Sequence, residues 1–158
     1  MIRAAEKNEY EKVLSFYDKL IDDMQGCKYH PKWQKGIYPD PEELKIAVEN
    51  SELFIDEEAD EIVAAMRINH EATDGYEKVS WTVDAAKEEV TVIHMLGVAV
   101  RQQGKGIAKK MVKYAIDTAR RENQKAVRLD VLVGNTVTGE CIEAFLLFYF
   151  TSEYGMII

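Results

Sequence analysis

The hydrophobic positions of this chain fall into two periods, and the elements change where the period changes. Tyr10, Val13, Leu14, Phe16, Tyr17, Leu20, Ile21 and Met24 recur at helical spacing, giving one apolar face to a helix that ends near Gly26. Ile2 to Ala4, ahead of it, has the length of a short first strand. Cys27 to Pro39 follows as a loop rich in His, Trp, Tyr and Pro. Asp40-Pro41-Glu42-Glu43 reads as an N-cap, a first-turn proline and a charged first turn, opening a short helix to about Asn50. Leu53-Phe54-Ile55 and Ile62 to Ile68, joined through an acidic turn around Glu57 to Asp60, predict an antiparallel hairpin.

Val79 to Val83, with Trp81 on a middle strand, and Val90 to Val100 predict further strand. The second run is apolar apart from Thr91, His94 and Gly97, as a central strand buried on both faces would be. Ile107, Ala108, Met111, Val112, Ala115, Ile116 and Ala119 then return to the helical period over Lys105 to Arg121, and Ala126 to Val133 supplies one more strand. A helix joining two such strands makes a βαβ unit, so the strands run parallel in one sheet with a right-handed crossover. The expected fold is mixed α/β: a sheet antiparallel in its N-terminal half, continuing into a parallel pair. No internal repeat, low-complexity tract or linker divides the 158 residues, which are read as one domain over 1–158.

Charge sharpens this picture in one place. The chain carries −8 overall, which argues against a general nucleic-acid binder. Yet residues 101–128 hold nine Lys/Arg against two Asp/Glu, a local +7 against −15 elsewhere. Either a solvated helix face is basic by composition, or the positive charge sits where a phosphorylated ligand would. Cys27 and Cys141 give no disulfide framework or metal-ligand spacing, and no metal site is expected at the acidic turn, which lacks the alternating oxygen ligands and central glycine of a calcium loop. Residues 1–12 have no apolar core of a signal peptide, and Ala144 to Phe150 is far shorter than the ~20 residues a membrane span needs. A cytoplasmic protein without membrane or nucleic-acid partners is expected.

The basic region opens on Gln103-Gly104-Lys105-Gly106-Ile107-Ala108, which an apolar strand enters and an amphipathic helix leaves. Two glycines let the backbone turn tightly, and the first turn of the helix presents unpaired N–H groups and a positive dipole end, a natural cradle for phosphate. A Walker A loop is a poor fit, because Gly104-Lys105 is followed by Gly106 and the residue five before Gly104 is Ala99. A dinucleotide fingerprint lacks its third glycine.

The segment resembles motif A of the GNAT-type N-acetyltransferase family, Gln/Arg-x-x-Gly-x-Gly/Ala, through Gln103, Gly106 and Ala108, with Leu96-Gly97-Val98 at the apolar end of that family's fourth strand. The likeness in element order extends through most of the chain and weakens after Asn135. It implies acetyl-CoA as co-substrate, with its pyrophosphate on the backbone N–H groups of Gln103, Gly104, Lys105, Gly106, Ile107 and Ala108. Its pantetheine arm would lie along Leu96, Gly97 and Val98, in a gap where strands four and five splay apart, with Asn135 at the end of the fifth strand. The implied reaction is direct attack of an amine on the thioester, with a carboxylate or histidine as base, often through water.

His94 is the leading base candidate, because simple alternation puts it on the face of Leu96 and Val98 and imidazole titrates in the useful range; the alternative is a satisfied core histidine. Glu71 is second choice, against an exposed loop carboxylate. The family often places an acidic tyrosine seven residues beyond the asparagine, where this chain has Ile142. Tyr149, or Tyr154, takes the role of acid through a shifted helix, against aromatic core packing. Family members generally add two further strands where this chain stops at Ile158, so Phe145, Leu146, Phe148 and Phe150 would form an apolar patch favouring a homodimer. Trp33 and Tyr38, within His30-Pro31-Lys32-Trp33 and Gly36-Ile37-Tyr38-Pro39, and Trp81 are candidates for an acceptor pocket, against the alternative of hydrophobic plugs. The acidic remainder of the surface suits a cationic amine on a small molecule, amino acid or peptide. A non-catalytic acyl-CoA-binding module is the other reading of the same cradle.

Overall fold

The central hairpin frames the molecule. In the computed structural model, which describes residues 1–27, 32–72, 80, 81 and 83–129, β2 (Leu53–Glu58) and β3 (Glu61–Asn69) pair antiparallel about a two-residue turn. Ala59 and Asp60 form that turn with φ of 48° and 62°, the conformation whose twist matches the flanking strands. β1 (Ile2–Ala4) adds antiparallel to β2, and β4 (Val90–Val98) antiparallel to β3. β5 (Ala126–Leu129) pairs parallel with β4, from Val90↔Ala126 to Ile93↔Leu129, giving the order β1-β2-β3-β4-β5. The mixed sheet is the one expected from the sequence.

Among the described residues three α-helices cover it, and the apolar stripes decide which face each takes. α1 (Tyr10–Asp23) buries Val13, Phe16, Tyr17, Leu20 and Ile21, and α2 (Pro41–Glu49) buries Leu44, Ala47 and Val48, against Leu53, Ile55, Ala65 and Met95. α2 starts as predicted: the Asp40 carboxylate accepts from the Glu42 N–H at 2.8 Å, and Pro41 fills the first turn. α3 (Ile107–Arg121), the crossover between β4 and β5, packs Ile107, Met111, Val112, Ala115, Ile116 and Ala119 on Ala64, Met66, Ile68 and Ile93 of the other face.

Two expected strands come out differently. The strand entering the glycine turn stops at Val98, and Val100–Gln102 coil into a short 3-10 turn. Ser80, Trp81 and Val83 take no strand conformation, so Trp81 is not on a middle strand. β4 already has β3 on one side and β5 on the other, which leaves no edge beside it for a strand to join. Val83 and Ala85 instead pack on Val90, Val92 and Ala126, and the Trp81 ring lies over the Arg128 guanidinium, 4.0 Å from centroid to Cζ.

Candidate active site

The glycine turn has the backbone its sequence predicts. Gly104 and Gly106 sit at φ 76° and 81°, left-handed values that cost any side-chain-bearing residue energy, and Gly106 is the N-cap of α3 with no side chain capping it. The Lys110 N–H bonds back to the Gly106 carbonyl at 3.0 Å, so the N–H groups of Gly106, Ile107, Ala108 and Lys109 are the four that a helix leaves over; among the described residues none accepts from them. Gly104, Lys105 and Gly106 are exposed, and a Cβ on either glycine would meet nothing within 4 Å. Open space in front of unpaired amides at the positive end of a helix fits a diphosphate.

The basic charge around this turn is less than the count implies. Lys110 pairs with the fully buried Asp56 at 2.5 Å, Lys125 with Glu89 at 2.8 Å, Lys113 with Asp117 at 2.5 Å and Arg101 with Glu61. Lys105 hydrogen-bonds Gln102 at 2.7 Å, beside the turn, and Lys109 is exposed in the first turn of α3. Gln103 reaches back, its Nε2 donating to the Val98 carbonyl at 3.1 Å, which ties the turn to the end of β4.

Along β4 itself the register is interrupted. Ala65 faces Gly97 and Arg67 faces His94, so two steps on β3 match three on β4. The extra residue is Met95, at φ 53°, a β-bulge. The Tyr17 hydroxyl donates to the Met95 carbonyl at 2.8 Å, and burial pushes the Tyr17 phenol far above its ordinary pKa, so it stays a donor. The bulge overturns the alternation used to place His94: Ile93 and Val98 lie on the α3 face, whereas His94, opposite Arg67, lies on the α1 face with Gly97 and Ala65. His94 is therefore across the sheet from Val98, and from Leu96, which packs on the α3 side.

On that α1 face the polar side chains of the strands converge. Half-buried His94 places Nε2 3.0 Å from Oδ1 of Asn69, which is only 8% exposed. Asn69 Oδ1 also accepts from the Glu71 backbone N–H at 3.0 Å, and its Nδ2 lies 3.4 Å from carboxylate oxygens of both Glu52 and Glu71. Arg67 holds Glu52 through Nε at 2.9 Å and Nη2 at 2.8 Å, and reaches Glu71 at 3.3 Å. The two base candidates thus belong to one network, with Glu71 engaged by Arg67 and Asn69. Glu52, Arg67 and Asn69 were not singled out from the sequence. Arg67 and Asn69 do interrupt an apolar strand at a spacing of two, which is the one local sign that a polar group stands on a single face.

Beside the network stands an aromatic wall. Trp33 lies against Tyr17, with ring centroids 6.0 Å apart, and against Tyr38 at 5.8 Å. A Cβ on Gly97 would come 2.7 Å from Leu20 Cδ2, 3.5 Å from Tyr17 Cε1 and 3.6 Å from Trp33 Cζ3, so only glycine lets α1 and Trp33 approach β4 this closely. Trp33 is thereby brought to Gly97, on the face that carries His94, with Tyr38 behind it. Trp81 stands over β5 through Arg128, whose partner across the ladder is Val92, two residues before His94. Asn135, Tyr149, Tyr154, His30, Pro31 and the apolar patch at Phe145 to Phe150 lie outside the described residues, as does the course of β5 beyond Leu129, where the splay was expected. Among the described residues no helix is long and apolar enough to cross a membrane.

Known proteins share this fold. The chain superposes on a GNAT-family acetyltransferase from Streptococcus agalactiae with a TM-score of 0.76, at 14% identity over 92% of this chain and 83% of that one. The PaiA N-acetyltransferase from Thermoplasma acidophilum, solved with coenzyme A, gives 0.67 at 11% identity, covering 91% and 86%. The diaminobutyrate acetyltransferase from Paenibacillus lautus, solved with L-2,4-diaminobutyric acid and coenzyme A, gives 0.60 at 16% identity, covering 96% and 74%. No curated protein matches the chain in sequence. The model of the Acetyltransferase (GNAT) family matches residues 15–145, most of the chain and both halves of the site. By this match over most of its length, the chain belongs to the GNAT acetyltransferase family, whose acyl donor is acetyl-CoA.

Proposed function

We propose that this acetyltransferase acts on a primary amine of a small molecule, amino acid or peptide, by direct attack on the donor, with His94 as general base. The observation that carries this reading is that one strand serves both halves of the reaction. β4 leads into the four unpaired amides at Gly106 to Lys109 and also carries His94 and Gly97 on the face lined by Trp33. The Gly104–Ala108 turn would hold the diphosphate of acetyl-CoA, and the backbone of Leu96 to Val98 its pantetheine arm. When bound, acetyl-CoA supplies an activated carbonyl and a thiolate leaving group.

The chain's own residues do the rest. Trp33, with the exposed Tyr38 behind it, offers an apolar wall on the α1 side for the stem of the acceptor. His94 takes the proton from the ammonium or from the attacking nitrogen, the task of a general base within reach of the reacting atom. Glu71 supports the network rather than acting as base, because its carboxylate already accepts from Arg67 and Asn69. An amine neighbour among similar folds, the diaminobutyrate enzyme, supports the choice of acceptor class.

Thiol release measured across a panel of mono-, di- and polyamines, amino acids and short peptides tests the reading. Acetyl-CoA-dependent release with a subset of amines, each gaining one acetyl group by mass, is expected. Tight acetyl-CoA binding with no release for any acceptor would instead mark a binding module.

A further inference from the structure

From the contacts of Asn69 we infer that this side chain is a positioning residue, which fixes neutral His94 as the Nε2–H tautomer and so makes Nδ1 its basic nitrogen. The orientation of an amide follows from its neighbours. Here the Glu71 backbone N–H, which can only donate, lies 3.0 Å from Oδ1, and two carboxylates, which accept when ionised, lie 3.4 Å from Nδ2. Rotating the amide by half a turn would set NH2 against N–H and C=O against both carboxylates. Arg67 holds those carboxylates in place. With its orientation settled, Oδ1 presents its second lone pair to His94 Nε2 at 3.0 Å, and only a protonated Nε2 satisfies it. Asn69 is buried, so water does not replace either partner.

The consequence is chemical. An imidazole held in the other tautomer would offer its lone pair to an amide carbonyl and carry a proton where the base must be empty; a wrong tautomer can remove most of a histidine's contribution. Asn69 therefore acts on catalysis through His94 without touching a substrate. Among the described residues, Arg67 of β3 stands opposite His94 in the ladder, Glu52 and Glu71 reach it through Asn69, and Arg128 of β5 stands opposite Val92, two residues before it.

This inference deepens the assignment of His94 as base and rests on it for its meaning, but its test does not. Long-range ¹H–¹⁵N imidazole correlations on the ligand-free protein above the histidine titration, with His94→Gln to identify the signal, read the tautomer directly. The Nε2–H pattern is expected, and an Nδ1–H pattern for His94 overturns the inference whether or not the protein transfers acetyl groups. Asn69→Leu should release the tautomer and lower kcat roughly 10- to 100-fold with KM for acetyl-CoA within about twofold. Asn69→Asp keeps an acceptor, so it should keep the Nε2–H form and move the His94 titration upward. An unchanged tautomer in Asn69→Leu, or an unmoved titration in Asn69→Asp, sinks the role given to Asn69.

Discussion

The turn at Gly104 to Gly106 and the cluster around Asn69 are reached by the same strand yet are built from different materials. The turn is made of main chain: two exposed left-handed glycines and four unpaired amides, tied to β4 by the one side chain of Gln103. The cluster is made of side chains from the turn before β2, from β3, from the loop after it and from β4, and its key amide is buried. A main-chain site is tolerant of almost any neighbour but not of a Cβ in the wrong φ. A side-chain site tolerates small backbone shifts but depends on each hydrogen-bonding partner. Damage to the turn should therefore appear as lost donor affinity, and damage to the cluster as lost turnover.

The largest separation between the two is expected for His94→Ala. Its kcat should fall about 10²- to 10⁴-fold, while acetyl-CoA affinity by calorimetry stays unchanged; equal losses in both would merge the two regions into one. Next comes Gly106→Val. A β-branched residue resists φ 81°, so acetyl-CoA should bind about 10- to 100-fold more weakly, and the open space around Gly106 confines the strain to the turn. A melting temperature lowered by more than a few degrees would show instead that the turn is structural.

Arg67→Met should cost about 1–2 kcal/mol, because it strips the cation from two carboxylates while the side chain it replaces is only 12% exposed. Turnover should fall with it and donor affinity should not, as thermal unfolding and single-turnover assays would show. Glu9→Gln is the smallest and touches neither region. Arg3, hydrogen-bonded to Glu9, lowers the Glu9 pKa from 4.5 to about 2. A folded pKa below the unfolded one gives stability that is present above pH 4.5 and fades as pH falls toward 2. The variant should flatten the pH dependence of thermal unfolding in that window, by about 1 kcal/mol or less given the partly exposed guanidinium. It should leave donor binding and kcat alone.

What could be read in the sequence follows the same division. The glycine turn is local, so composition, spacing and the flanking periods were enough to place it, as they were for the Asp40 cap and the β2–β3 hairpin. The cluster is not local. Glu52, Arg67, Asn69 and His94 meet only after three segments have paired in register, and no short-range pattern specifies that register. Trp81 shows a related failure: a run of the right composition for a strand finds no place beside β4 once β3 and β5 flank it. His94 shows the subtlest one, since an alternation rule carried through a bulge returns the wrong side.

That bulge has a consequence for anyone who would rebuild this protein. Met95 works as a parity bit in β4: iron the bulge flat while keeping every residue, and everything on one flank of it changes sides. Anchored through Gly97 and the turn, such a flush strand of unchanged length would drive the imidazole in among the isoleucines and methionines beneath α3. A chimera made by swapping this segment should therefore be judged first by whether it keeps the bulge, and only afterwards by which letters it contains.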